Sequence, residues 1–206
     1  MPNILIPENA DCFVQGPHVA LWRWQRSNDQ GELAYHLWQT MRAEDVHLRY
    51  FHEEFVGAHG HLRGDLACFI THYLLPPDRA NLIITAKDSG IIYGVIDFHV
   101  FASQRYAMFG VWTTKAGRKH AQEAGKLATS WAFCVLPVDT LFGFSPHKYV
   151  QEYGIRGGWT SLGHIPRFFV DATSGEKKPM YGVTVTREDW ELTHAKDETF
   201  SPMKGM

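Results

Sequence analysis

The chain has 206 residues, 45% of them hydrophobic, and a formal charge of -2 at pH 7. That is enough apolar material for one substantial core, so a single domain over 1–206 is expected, with 1–31 as an N-terminal extension and 195–206 as a loose tail. The balanced charge argues against a basic field that grips nucleic acid, and no apolar run reaches the roughly 18 residues that span a bilayer. Cys12, Cys68 and Cys134 are widely spaced and form no CxxC, which argues against a disulfide scaffold or a thiolate zinc site. With MPNILIPENADC lacking the positive-then-apolar layout of a signal peptide, a cytoplasmic location is expected.

Val19 to Trp24 reads as a strand closed by the turn residues Ser27, Asn28, Asp29 and Gly31. From Glu32 to Met41, Leu33, Leu37, Trp38 and Met41 fall on one helical face, which predicts a core-facing helix. A second helix is expected after Asp45, with Val46, Tyr50 and Phe55 on a weaker stripe. A third is expected after Asp65, where Leu66, Phe69, Ile70, Tyr73 and Leu74 share a face until Pro76 and Pro77 stop it. These three helices are expected to precede the sheet.

The sheet is expected to begin at NLIITA (81–86), with strands IIYGVIDFHVF (91–101) and RYAMFGVW (105–112) following across short polar turns. Such turns permit only antiparallel neighbours. In 117–135, Ala121, Ala124, Ala128, Trp131 and Val135 form a stripe suited to a crossover helix packed close on a sheet, and Cys134 beside it is expected to be a buried thiol. DTLFGF (139–144) then returns parallel to RYAMFGVW. Ser145 before Pro146 predicts an N-cap for a short helix over about 146–153, ending near Gly154. RFFVD (167–171) and PMYGVTVT (179–186) predict a hairpin, and Thr186 caps a last short helix.

The segment 105–159 carries most of the functional signal. Lys115, Arg118, Lys119 and His120 stand at a helix start, where unpaired backbone N–H groups and a partial positive charge favour a phosphorylated ligand. The same charges also suit a solvated helix start, and both readings remain open.

The order of helices, antiparallel strands, crossover helix, parallel strand, helix and hairpin resembles the GNAT superfamily of acyl-CoA N-acyltransferases over about residues 32–190. The resemblance implies an α/β (α+β) fold: a mixed, mostly antiparallel central sheet flanked by helices. It also implies acetyl-CoA or another acyl-CoA as the acyl-donating substrate, and an amine acceptor. Val111 to Gly125 looks like the family's site for the coenzyme A pyrophosphate. Gln122-Glu123-Ala124-Gly125-Lys126-Leu127 keeps two anchors of its Arg/Gln-x-x-Gly-x-Gly/Ala signature, with Leu127 where a small residue is expected; Arg118-Lys119-His120-Ala121 lies nearer the expected place without the glycines. Tyr153-Gly154-Ile155-Arg156-Gly157-Gly158-Trp159 looks like the family's last landmark and puts Tyr153 at the position of the acid that protonates the leaving thiolate, while His147 replaces a common Asn.

On that resemblance the donor site comprises Phe109, Val111, Thr113, Arg118, Lys119, His120 and Gly125, with the strand around 109–112 polarising the carbonyl. RYAMFGVW holds no carboxylate. Asp97 and His99, on one strand face by two-residue alternation, are therefore the candidate acceptors of the amine proton, acting through water. A solvated sheet face is their plainer reading. His52, His59 and His61 form no ligand-spacing pattern, so no metal site is expected. Trp22-Arg23-Trp24 is expected to serve packing, and a protein partner or homo-oligomer is left open near Trp22 and Phe101. The degenerate phosphate segment and missing carboxylate are also similar to GNAT-like proteins of tailed phages, some of which are virion or accessory components; this implies the alternative of a non-catalytic structural or binding protein.

Overall fold

A computed structural model of the chain describes residues 13–24, 31–44, 70–170 and 175–194. The strands are β1 (Phe13–Gln15), β2 (Val19–Arg23), β3 (Arg79–Ala86), β4 (Ile92–Phe101), β5 (Tyr106–Thr113), β6 (Thr140–Ser145), β7 (Thr160–Val170) and β8 (Lys177–Thr186). They form one eight-stranded sheet in the order β1-β2-β3-β4-β5-β6-β8-β7. The helices are α1 (Gly31–Ala43), α2 (Ala121–Val135), α3 (Lys148–Arg156) and α4 (Arg187–His194). The β1–β2, β2–β3, β6–β8 and β7–β8 ladders are antiparallel; β5 and β6 run parallel. Among the described residues no helix is long and apolar enough to cross a membrane.

The described residues fall into two compact units. The first draws on Met1–Asp97 and Val111–Ala124, the second on Phe98–Gly110 and Gly125–Met206. In the first, α1 buries Leu33, Ala34, Leu37, Trp38 and Met41, the face that the sequence spacing marks. They pack with Tyr73, Ile83, Val95 and Trp112. Leu37 and Met41 are fully buried, each contributing about 1.5–3 kcal/mol by leaving water. Trp22 also packs against this cluster, as expected, and its Nε1 donates to Thr85 Oγ1 at 3.0 Å. The second unit is centred on aromatic rings: Phe98 lies 5.3 Å from Phe109 and 5.8 Å from Trp131, and Trp159 lies 5.2 Å from Phe109.

Several expectations need correction. The sheet begins with β1 and β2 rather than at residue 81, because Val19 to Arg23 pair with Leu82 to Ala86. The expected helix after Asp45 lies outside the described residues. So does most of the one after Asp65; its described part, Ile70–Leu74, is a single wider turn closed by the Leu75 N–H on Ile70 O at 2.9 Å.

The crossover helix buries Ala124, Leu127, Ala128, Trp131 and Ala132, but Val135 and Cys134 at its end are exposed. Ser145 is not the cap of α3. Paired with Tyr181 of β8, it stays in the strand and accepts the His147 N–H on Oγ at 3.1 Å, so the cap moves to His147 and the helix runs on to Arg156. Thr186 caps α4 as expected: its Oγ1 accepts the Asp189 N–H at 3.1 Å and donates to Asp189 Oδ2 at 2.7 Å. The hairpin strand β7 starts at Thr160, seven residues before RFFVD, and leaves Leu162, Ile165 and Phe168 exposed.

Candidate acyl-donor site

The parallel pair carries the most suggestive geometry. β5 and β6 pair from Tyr106–Thr140 to Phe109–Gly143, and there their ladder stops. β6 continues to Ser145, still bonded to β8, and β5 continues to Thr113. Past that last rung, Gly110 and Phe144 are no longer partnered across the two strands. A freed strand edge of this kind can donate to a carbonyl oxygen. Phe109 stands at the last rung, half-buried against Phe98 and Trp159.

Residues 113–120 belong to the first unit. Val111 and Thr113 are half-buried, while Trp112 between them turns into the hydrophobic cluster. The segment then folds over Tyr93: the Thr114 N–H donates to Tyr93 O at 2.7 Å, and the Thr114 carbonyl accepts from Gly117 at 3.0 Å and Arg118 at 3.1 Å. Glycine is required at 117, because a Cβ there would lie 2.6 Å from Tyr93 O. The Lys115 N–H donates to the Glu44 carboxylate at 2.7 Å, and the His120 N–H to Gly117 O at 2.9 Å. The amides of 114, 115, 117, 118 and 120 are thus engaged within the chain. What the segment turns outward are the exposed side chains of Lys115, Arg118 and Lys119.

His120 is half-buried and stacked, its ring 5.3 Å from Tyr93 and 5.4 Å from His18. Gly125 lies inside α2, one turn past its start, and a Cβ there would meet nothing within 4 Å. No close approach to this glycine is built into the fold. Gly94 is different: a Cβ on it would lie 2.1 Å from Trp112 O, so its absence lets β4 and β5 come together.

Tyr153 projects from α3 and is exposed. The Arg156 guanidinium lies 4.5 Å from its ring centroid, and Tyr149 meets it edge-on at 6.3 Å. The helix is tied to the hairpin by buried Gln151, whose Nε2 lies 2.8 Å from Gly163 O, 3.0 Å from Ser161 Oγ and 3.1 Å from Gly182 O. Gly154, after Tyr153, lets α3 sit on Val183, whose methyl carbons a Cβ would meet at 3.2 Å.

Asp97 and His99 differ more than strand alternation suggests. Asp97 is largely buried and ion-paired with Arg79 at 3.5 Å. Arg79 also lies 5.7 Å from the centroid of the Tyr73 ring, and burial, reinforced by the Asp97 charge, pushes the Tyr73 hydroxyl well above its ordinary pKa. Asp97 therefore belongs to a packed cluster with a cation already beside it. His99 is half-buried and rests against Phe101 at 4.4 Å.

One cluster escapes the sequence altogether. His18, His120 and Glu123 bring donor atoms within 4.8 Å of one another. Their sequence separation of about a hundred residues leaves no spacing pattern to find.

No protein-family model matches the sequence, and no curated protein matches it. Solved structures do match the fold. A GCN5-related N-acetyltransferase from Brucella melitensis has a TM-score of 0.65 at 16% identity, over 93% of this chain and 86% of that one. The spermidine N-acetyltransferase of Vibrio cholerae, in complex with CoA and spermine, gives 0.62 at 11% identity over 82% and 97%. The microcin C7 self-immunity acetyltransferase, in complex with acetyl-CoA and AMP, gives 0.62 at 14% identity over 83% and 93%. The chain therefore has the fold of GNAT acetyltransferases.

Proposed function

We propose that the protein transfers an acyl group from acyl-CoA to an amine. The observation that carries this reading is the parallel β5–β6 ladder that stops at Phe109 and Gly143 while both strands continue. The resemblance in fold to acetyltransferases solved with CoA or acetyl-CoA supports it. In this reading the thioester carbonyl accepts an N–H from the strand around 109–112, with Val111 and Thr113 flanking the donor. Arg118, Lys119 and Lys115 hold the diphosphate through their side chains, since most amides of their segment are already engaged.

The amine nitrogen attacks the thioester carbon, the C–S bond breaks, and the thiolate takes its proton from Tyr153. The proton lost by the amine passes to water or His99. Asp97 is the weaker choice, because it is largely buried and already ion-paired with Arg79.

The engagement of Lys115 N–H by Glu44 favours a second reading, in which the fold is kept and the protein is a non-catalytic binding or structural component. A thermal-shift titration separates the two. Acetyl-CoA raises the melting temperature of the wild type and leaves Arg118→Glu unchanged under the first reading. No shift, together with recovery of the protein in a stoichiometric assembly, establishes the second.

A further inference from the structure

We propose that His18, His120 and Glu123 form a binding site for a divalent transition-metal ion. The proposal stands on local geometry in the first unit and does not depend on acyl transfer. His18 sits in the turn between β1 and β2, His120 ends the short turn before α2, and Glu123 lies in the first turn of α2. Their donor atoms all lie within 4.8 Å of one another.

The carboxylate is already fixed. Glu123 Oε1 accepts the backbone N–H of His18 at 2.8 Å and of Val19 at 3.1 Å, which orients Oε2 toward His18 Nδ1 at 2.9 Å. His120 is held as firmly, because its ring stacks between Tyr93 and His18 with interplanar angles of 14° and 28°. Carboxylate and imidazole supports of this kind are what orient ligands around a bound ion.

The donor set selects the class of ion. Two imidazoles and one carboxylate suit Zn²⁺ and its neighbours such as Co²⁺ or Ni²⁺, and they suit Mg²⁺ and Ca²⁺ poorly, since those prefer all-oxygen shells. Ligands about 2.0–2.1 Å from a tetrahedral zinc stand about 3.3 Å apart. The His18–Glu123 separation of 2.9 Å needs to open slightly, and His120, whose donor atom lies within 4.8 Å of the other two, needs to draw closer.

A carboxylate oxygen only accepts, so Nδ1 of His18 carries the shared proton before the ion arrives. On binding, that proton moves to the other ring nitrogen of His18 and the Nδ1 lone pair turns to the metal. Water completes the coordination. The site carries one negative charge. Arg118 and Lys119 nearby oppose the dication but extend into solvent, where salt screens them.

The test uses the full chain without an affinity tag, titrated with ZnCl₂ by calorimetry and with Co²⁺ by visible absorption. The expected result is one Zn²⁺ per chain, no response to Mg²⁺, and the intense bands of low-coordinate Co²⁺. His18→Ala, His120→Gln and Glu123→Gln are each expected to weaken Zn²⁺ binding by about tenfold or more, while His164→Ala keeps the wild-type affinity. His18 has a 66% exposed side chain, so His18→Ala decides the matter even if His120→Gln fails to fold. Absence of Zn²⁺ binding to the wild type, or equal affinity in wild type, His18→Ala and Glu123→Gln, overturns the proposal.

Discussion

Arg105 and Asp139 join the two strands of the parallel pair at the end opposite the break in their ladder. The Arg105 guanidinium grips both carboxylate oxygens of Asp139, from Nε and, at 2.7 Å, from Nη2. The Asp139 N–H returns a bond to Arg105 O at 2.7 Å, and the Arg187 N–H donates to Asp139 O at 2.8 Å. Arg105 adopts the left-handed conformation, with φ of 55°, to close the turn from which β5 leaves. One end of the pair is pinned by charge and backbone together, and the ladder stops toward the other.

This pin has a pH signature. Hydrogen bonding from Arg105 holds the Asp139 carboxyl below its ordinary range. A carboxyl with a depressed folded-state pKa contributes stability that is complete above its unfolded pKa, near about 4, and is lost as pH falls through the folded value. Wild type and Asp139→Asn are therefore expected to differ in melting temperature at neutral pH, with the wild type higher. The two are expected to converge as pH falls below that window. Melting curves of both proteins across the acid range check it, and a gap independent of pH contradicts the assignment.

Phe98 is fully buried against Phe109 and Trp131. Phe98→Ala is expected to cost about 3–5 kcal/mol through lost burial and the cavity left behind. Urea unfolding of wild type and variant reads this directly as a lower midpoint at similar slope.

Gln151→Leu removes the amide shared by Ser161, Gly163 and Gly182 and leaves the buried Gly182 carbonyl without that donor. The expected loss is about 1–3 kcal/mol. Faster amide exchange at α3 and the β7–β8 hairpin is expected to accompany it.

If Tyr153 protonates the departing thiolate, Tyr153→Phe lowers kcat by about two orders of magnitude and leaves the Kd for acyl-CoA nearly unchanged. Steady-state kinetics alongside calorimetry on the same variant separate this from a binding defect. Equal losses in kcat and affinity contradict the assignment.

Much of the fold is legible in the residues themselves. Leu33, Leu37, Trp38 and Met41 announce α1 by period alone, and the long connection after Thr113 forces a crossover and hence the parallel pair. Local rules fail where tertiary pairing overrides them. Ser145 is a strong cap by chemistry, yet its ladder with Tyr181 keeps it in a strand and hands the role to His147. Val135 and Cys134 follow the helical stripe on paper, yet both are exposed while Ala132 and Phe133 of the same turn are buried.

The site is less legible than the fold. The side chains of Lys115, Arg118 and Lys119 are exposed, but the Lys115 amide is engaged by Glu44 and the preceding Thr114 amide by Tyr93, residues that no local reading connects to them. The His18–Glu123 contact joins residues 105 positions apart and has no sequence signal at all.

Calorimetric titration of the full chain with acetyl-CoA tests the central claim most directly. The expected result is one molecule bound per chain, with affinity that falls as salt rises and collapses in Arg118→Glu, as side-chain recognition of a diphosphate requires. No heat of binding at millimolar acetyl-CoA, or binding indifferent to Arg118→Glu and to salt, contradicts it.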